Sequence, residues 1–61
     1  MAENFIIKTK NKGYFAGWGQ LGDFKYINEK RLAYRFSKPL ALKNIEKIVT
    51  NAGCTAEIMH I

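Results

Sequence analysis

The side chains that most often perform catalysis or bind metals are scarce in this chain. Its 61 residues include one cysteine, Cys54, and one histidine, His60. If both lie on one strand, six residues at ~3.3 Å each place them about 20 Å apart, which is too far for a nucleophile and its base. We interpret Cys54 as a small buried residue and His60 as a terminal side chain. A metal bound between subunits is the alternative.

The acidic residues provide no catalytic arrangement either. General acid–base catalysis needs a carboxylate pair or a carboxylate perturbed in a cleft. No spacing in this sequence places two acids on one face of an element; the five are Glu3, Asp23, Glu29, Glu46 and Glu57. The sequence therefore predicts a protein that is not an enzyme and that has no cofactor and no metal site of its own.

One stretch matches a phosphate-binding motif by letter. Residues 17–22 read GWGQLG, which fits G-x-G-x-x-G. In dinucleotide-binding folds these glycines let a pyrophosphate approach the N-terminus of a helix. Here no helical pattern follows Gly22, and Leu42 stands about where an acidic ribose ligand is needed. We interpret the stretch as a loop that needs flexible or positive-φ residues.

Cations interleaved with aromatic rings are a stronger signal. Ten basic residues against five acidic ones give a net charge of +5. Lys8, Lys10 and Lys12 fall at period two, which predicts that they share one face of the first strand and its turn. Bases can stack on such rings while cations neutralise phosphates, so a single-stranded nucleic acid is one possible partner. The candidate partner-binding residues are Lys8, Lys10, Lys12, Tyr14, Trp18, Arg31, Tyr34 and Arg35.

A protein partner fits the same residues. Strict alternation puts Tyr14, Ala16 and Trp18 on one face of a strand, and an exposed Tyr/Trp patch is typical of a protein-binding or dimer surface. The competing interpretation is structural: Trp18 is partly buried, the four phenylalanines form the core, and lysines at a strand end only keep an edge solvated.

Periodicity predicts the elements that must position these residues. We expect a β-hairpin over 4–18, a short strand over 24–27, a turn or single helical turn over 28–31, a strand over 32–36, a helix over about 38–52 and a final strand over 54–61. The helix is the clearest element, with Ser37 as N-cap, Pro39 in the first turn and Gly53 after its end. Its apolar stripe is Ala41, Leu42, Ile45, Ile48, Val49 and Ala52.

The order β-β-(β)-β-α-β predicts a single small α+β domain over 1–61. We expect two layers, a mainly antiparallel sheet of three to five strands with one helix packed on one face. The other face is then open, and we expect any function there. The apolar run 5–7 is too short for a signal peptide or a membrane span, and one cysteine favours a reducing cytosol. Because so short a chain makes a small core, we expect a homo-oligomer, most simply a dimer.

The segments FIIK (5–8), GYFAGW (13–18) and AYRFS (33–37), followed by a helix, resemble small uncharacterised phage and prophage proteins of Gram-positive bacteria. The resemblance implies a cytoplasmic accessory protein made during infection. Many such proteins bind and inhibit a host or defence component, and some sequester nucleotide signals. The sequence thus predicts a non-enzymatic interaction protein, with a nucleic-acid binder or a nucleotide sponge as alternatives.

Overall fold

Four strands and one long helix make up most of the computed structural model, which describes residues 3–61. The elements are β1 (Phe5–Thr9), β2 (Gly13–Trp18), β3 (Phe24–Ile27), a 3₁₀ turn (Lys30–Leu32), α1 (Lys38–Ala52) and β4 (Ala56–His60). The sheet order is β3-β2-β1-β4, and all neighbouring strands are antiparallel. The predicted α+β class is confirmed. Residues 1 and 2 of the domain expected over 1–61 lie outside the described part.

The helix has the predicted bounds and ends. Ser37 occupies the N-cap position in an extended conformation, although its side chain makes no capping hydrogen bond. Pro39 lies in the first turn, where its missing N–H costs nothing. Gly53 ends the helix with a φ of 71° and donates its N–H to the carbonyl oxygen of Val49 at 3.0 Å. The local signals therefore determine where α1 begins and ends.

The register of the strands decides which side chains face α1. Directly opposed residues share a face of the sheet, and successive residues alternate. Ile7 packs in the core with Ile48 of α1, which fixes the helix side of the sheet. That side consists of Phe5, Ile7, Thr9, Phe15, Trp18, Phe24, Tyr26, Ala56, Ile58 and His60. The far side carries Ile6, Lys8, Tyr14, Lys25, Ile27, Glu57 and Met59.

The helix covers only half of its side of the sheet. It packs mainly on β1 and β4, and the buried cluster beneath it consists of Ile7, Phe15, Phe36, Ala41 and Ile48. Phe5 and Phe24 are partly buried against this cluster. The β2–β3 half of the helix side is therefore covered by aromatic side chains rather than by backbone.

The prediction of a strand over 32–36 is wrong. The chain there forms the 3₁₀ turn Lys30–Leu32 and then an extended segment that makes one isolated bridge, between Phe36 and Phe5. The alternation of the sequence does not become an alternation of burial, because Ala33 and Phe36 are buried whereas Leu32 and Tyr34 are exposed. The segment is too short and too poorly paired to count as a strand.

This segment fills a gap between β1 and β2, which pair only next to their turn. Phe5 opposes β4 on one side; on the other it exchanges two backbone hydrogen bonds with Phe36, of 3.1 and 2.7 Å. The N–H of Tyr34 donates to the carbonyl oxygen of Phe15 of β2 at 2.9 Å. Residues 34–36 therefore connect the two strands where they diverge.

A β-bulge in β2 changes the predicted faces. The register with β3 shifts between Phe15 and Gly17, and Gly17 has a φ of 115°. The extra residue, Ala16, returns Trp18 to the face of Phe15, with the two ring centroids 5.0 Å apart. The expectation that Trp18 shares a face with Tyr14 is therefore wrong. A glycine inside a strand pattern was the available signal for the bulge.

Gly17 and Gly53 offer a matched test of this geometry. A Cβ on Gly17 would lie 3.2 Å from the Tyr34 ring, whereas a Cβ on Gly53 would meet nothing within 4 Å. We expect Gly53→Ala to destabilise the protein by about 1 kcal/mol through its positive φ alone. Gly17→Ala should cost about 2–3 kcal/mol, because strain and ring displacement add. Urea unfolding measures both; equal costs would contradict the close approach of Tyr34.

Candidate interaction surface

Two partly exposed aromatic rings pack on buried aromatic rings at one surface of the protein. Trp18 and Tyr34 are 43% and 42% exposed, and their ring centroids lie 5.3 Å apart at an interplanar angle of 77°. Beneath them, Phe15 lies 5.0 Å from Trp18, and Phe36 lies 4.9 Å from Tyr34. Because Phe15 and Phe36 are buried, the two outer rings are fixed in place. We call Trp18 and Tyr34 the aromatic pair.

One side of α1 faces the same half of the sheet. The Tyr26 hydroxyl donates a hydrogen bond of 2.6 Å to Oδ1 of Asn51, which connects β3 to the helix. Leu40, Asn44 and Asn51 have the i, i+4, i+11 spacing of one helical stripe, so Leu40 lies on the side of α1 that faces β3. Its side chain is 46% exposed. The stripe and the aromatic pair lie at the half of the helix side that α1 does not cover.

Two further leucines are exposed, and sequence reasoning missed their exposure. Leu21 is 95% exposed at the tip of the loop between β2 and β3. Leu42, expected in the buried stripe of the helix, is 56% exposed. It lies about 90° around the helix from the centre of the buried stripe. This angle can be read from the sequence, and it indicates that Leu42 is exposed.

The structure divides the predicted basic face. Lys8 lies on the far side, with its Nζ 5.8 Å from the centre of the Tyr14 ring. The backbone of Lys12 donates to Oγ1 of Thr9 at 3.0 Å, and its Nζ lies 6.0 Å from the Tyr26 ring centre on the helix side. The expectation that Lys8 and Lys12 share one face is therefore wrong.

The remaining basic candidates lie apart from one another. Lys10 follows β1, and its N–H donates to the carbonyl oxygen of Thr55 at 2.9 Å; it borders an open depression of about 520 Å³ between the ends of β1 and β4. Arg31 is exposed and forms an ion pair of 3.1 Å with Glu29. Arg35 is exposed next to Tyr34. The structure does not bring the eight candidate residues together into one patch.

Most of the positive charge is uncompensated. All ten basic residues lie within the described range 3–61, and Arg31 alone among them forms an ion pair there. On the helix surface, Lys47 neighbours the stripe of Leu40 and Asn51. Lys47, together with Lys12 beside Tyr26, makes the border of the β2–β3 half of the helix side positive.

The glycines of the GWGQLG stretch have structural roles. Gly17 forms the bulge, and Gly19 lies so close to the Asp23 carboxylate that a Cβ would collide with it. The Gly19 N–H donates to the carbonyl oxygen of Asp23 at 2.7 Å, which closes the β2–β3 hairpin. Gly22, with a φ of 78°, completes the three-residue loop. A strand follows this loop, so no helix N-terminus is available there for a phosphate.

Cys54 and His60 lie at opposite ends of the last strand. Cys54 is half-buried before β4, whereas the exposed His60 ring packs edge-on to Phe5 with centroids 4.8 Å apart. Among the described residues, no three His, Cys, Asp or Glu side chains come close enough to hold a metal ion. No helix within residues 3–61 is long and apolar enough to cross a membrane.

Comparisons with protein-family models, curated proteins and solved structures find no significant match to this chain. The geometry of the described residues is therefore the basis for assigning a function.

Tyr26 supplies a test of the contact between α1 and β3. Burial, and secondarily the charge of Cys54, raise the pKa of Tyr26 above its ordinary value of 10.0. The unfolded chain therefore loses this proton first, so stability present below pH 10 is lost as the pH rises through the folded pKa.

We expect Tyr26→Phe to be less stable than the wild type near pH 8 by about 1 kcal/mol, since the bond to Asn51 is lost. The difference should shrink above pH 10. Urea midpoints between pH 8 and 11 measure it, with Tyr14→Phe on the far side as control. A difference that stays constant with pH would contradict the effect.

Proposed function

We propose that this chain is a non-enzymatic binding protein whose aromatic pair, with Leu40 beside it, docks an acidic segment of a protein partner. The observation that carries the proposal is that Trp18 and Tyr34 are exposed while they pack on the buried rings of Phe15 and Phe36. Large exposed rings that are already fixed lose little conformational entropy on binding. Trp and Tyr are also the side chains most enriched among residues that dominate binding energy.

The charge around this surface selects the chemistry of the partner. Lys12 and Lys47 border it, neither forms an ion pair among the described residues, and the whole chain has a net charge of +5. Complementary potentials raise association rates and disfavour wrong partners. An acidic segment that also carries apolar side chains would pack on the rings of the aromatic pair and pair with the positive charge of Lys12 and Lys47.

The ring geometry favours a protein over a single-stranded nucleic acid. Four other rings have centroids within 6.4 Å of Trp18, and its contact with Tyr34 is edge-to-face. Bases need open ring faces and cations spaced along one groove. Here the rings mostly cover one another, and the cations are spread over both sides of the sheet.

The same surface suits the role implied by the resemblance to phage proteins. A small cytoplasmic protein of this kind would occupy a surface of a host or defence protein and thereby inhibit it. A nucleotide sponge is less well supported, because the depression near Lys10 is open and contains no aromatic ring for a base to stack on.

Site-specific photo-crosslinking tests the proposal. A benzoylphenylalanine at Leu21, which is exposed in the loop that follows Trp18, should yield a protein adduct in a lysate of a Gram-positive bacterium. The same residue at the exposed far-side position Lys25 is the control and should not. Adduct yield should fall several-fold between low and high salt, since the attraction is electrostatic.

Tyr34→Ala should reduce the adduct yield at least tenfold, because truncation of an aromatic anchor costs about 2 kcal/mol or more. Tyr14→Ala, on the far side, should leave it unchanged, and circular dichroism checks that both variants fold. A nuclease-sensitive adduct would identify a nucleic-acid partner instead. Equal adducts from both crosslinker positions would exclude the aromatic pair as the docking surface.

A further inference from the structure

We infer that two copies of this chain join through β4, in antiparallel register about a two-fold axis at Ile58, so that the two sheets become one of eight strands. The partner at this edge is therefore a second copy of the chain. This surface is separate from the aromatic pair, and the inference does not depend on the proposed function.

The outer edge of β4 presents unused backbone groups. Hydrogen bonds from Lys10 to Thr55, at 2.9 Å, and from Ile61 to Asn4, at 2.7 Å, fix which residues of this strand bond to β1. In an antiparallel ladder these alternate, so Glu57 and Met59 also bond to β1. The N–H and C=O groups of Ala56, Ile58 and His60 therefore point outward, and none has a hydrogen-bond partner within residues 3–61.

One symmetric register satisfies all of these groups. With Ile58 opposite Ile58 of the second copy, Ala56 lies opposite His60 and Glu57 lies opposite Met59. Each outward N–H then meets an outward C=O, since opposed outward residues form the hydrogen-bonded pairs of an antiparallel ladder. The two Ile58 side chains meet on the helix side, which extends the apolar row of Ile7 and Ile58. No like charges are directly opposed.

The position of α1 fits this arrangement. The helix packs on β1 and β4 alike, so its axis lies above the line between them. With strands ~4.8 Å apart, that line is about 5 Å from the two-fold axis, and two helices would lie about 10 Å apart. Packed helices have axes 8–10 Å apart. The second copy therefore brings its helix to contact distance without a change in the fold.

The helix side that would meet its copy carries Leu42 and Val49 at its centre, with Lys38 and Glu46 on its flanks. Because the Leu40 stripe faces β3 and the buried stripe faces the sheet, the stripe of Leu42 and Val49 faces the β4 edge. Leu42 is 56% exposed in the single chain. Across the two-fold axis these side chains would cover each other and the paired Ile58 residues.

Charge distinguishes the two edges of the sheet. Two chains that each carry +5 meet with least repulsion where basic residues are absent. β4 contains no Lys, Arg or Pro, whereas the other edge strand, β3, contains the exposed Lys25. Lysine on an edge strand is a common device against edge-to-edge pairing. The open edge without that device is β4.

Amide exchange and sedimentation together test the inference. Sedimentation equilibrium should show a reversible dimer between micromolar and millimolar concentration. Residue-resolved NMR exchange should show that the amides of Ala56, Ile58 and His60 become protected at least tenfold as the dimer forms. The outward amide of Phe24 on β3 should stay unprotected. A monomer at every concentration, or a dimer without protection at these three amides, would overturn the inference.

Matched variants separate this interface from the aromatic surface. Leu42→Lys should raise the dimer dissociation constant at least tenfold, because two charges would meet at the axis, while Leu40→Lys on the opposite side of α1 should leave it unchanged.

A second pair of variants tests the backbone pairing of β4. His60→Pro removes an outward N–H twice per dimer and should weaken the dimer, whereas His60→Ala keeps that N–H and should not weaken it. The reverse pattern, with Leu40→Lys alone disrupting the dimer, would place self-association on the aromatic surface instead. The adduct yield from Leu21 is measured independently of the dimer dissociation constant, so the docking proposal and the dimer proposal can each fail without the other.

Discussion

The insertion of residues 34–36 between β1 and β2 is the constraint on which the rest of the structure depends. It places the Phe36 ring 5.9 Å from Phe15 in the core and gives the Phe5 backbone a second partner. It also leads directly into the first turn of α1, so the position of the helix follows from it. Tyr34, two residues before Phe36 on the same face, is thereby placed against Trp18. Core, helix and aromatic pair are one connected arrangement.

The chain is too short to cover both halves of the sheet with helices. α1 covers β1 and β4, and the remaining half is covered by rings that pack mostly edge-to-face. Such pairs add about 0.5–1.5 kcal/mol each beyond the area that they bury. The outermost rings stay partly exposed, because no further layer follows. The surface available for binding is thus a consequence of how a small α+β domain completes its core.

Local signals predicted the elements well and their faces poorly. The caps and stripe of α1 gave its bounds, and periodicity located all four strands, because both signals lie within a few neighbouring residues. The face of Trp18 depends on one bulge at Gly17, and a one-residue shift reverses a strand's inside and outside. The segment 32–36 alternates like a strand, but its pairing is decided by the divergence of β1 and β2. Lys12 leaves the predicted basic face because its turn is closed by Thr9.

A dimer through β4 would affect how the aromatic pair acts. The strand order would become β3-β2-β1-β4-β4-β1-β2-β3, with the aromatic half of each copy at an outer end. Five strand spacings of ~4.8 Å separate the two β2 strands, so the two aromatic pairs would lie about 25 Å apart on the same side of the sheet. A partner with two acidic segments at that separation would be held by both, and the second contact would form at high effective concentration. Self-association at an edge that carries no basic residue therefore leaves both positively bordered surfaces free, and it can turn two weak docking contacts into one strong one.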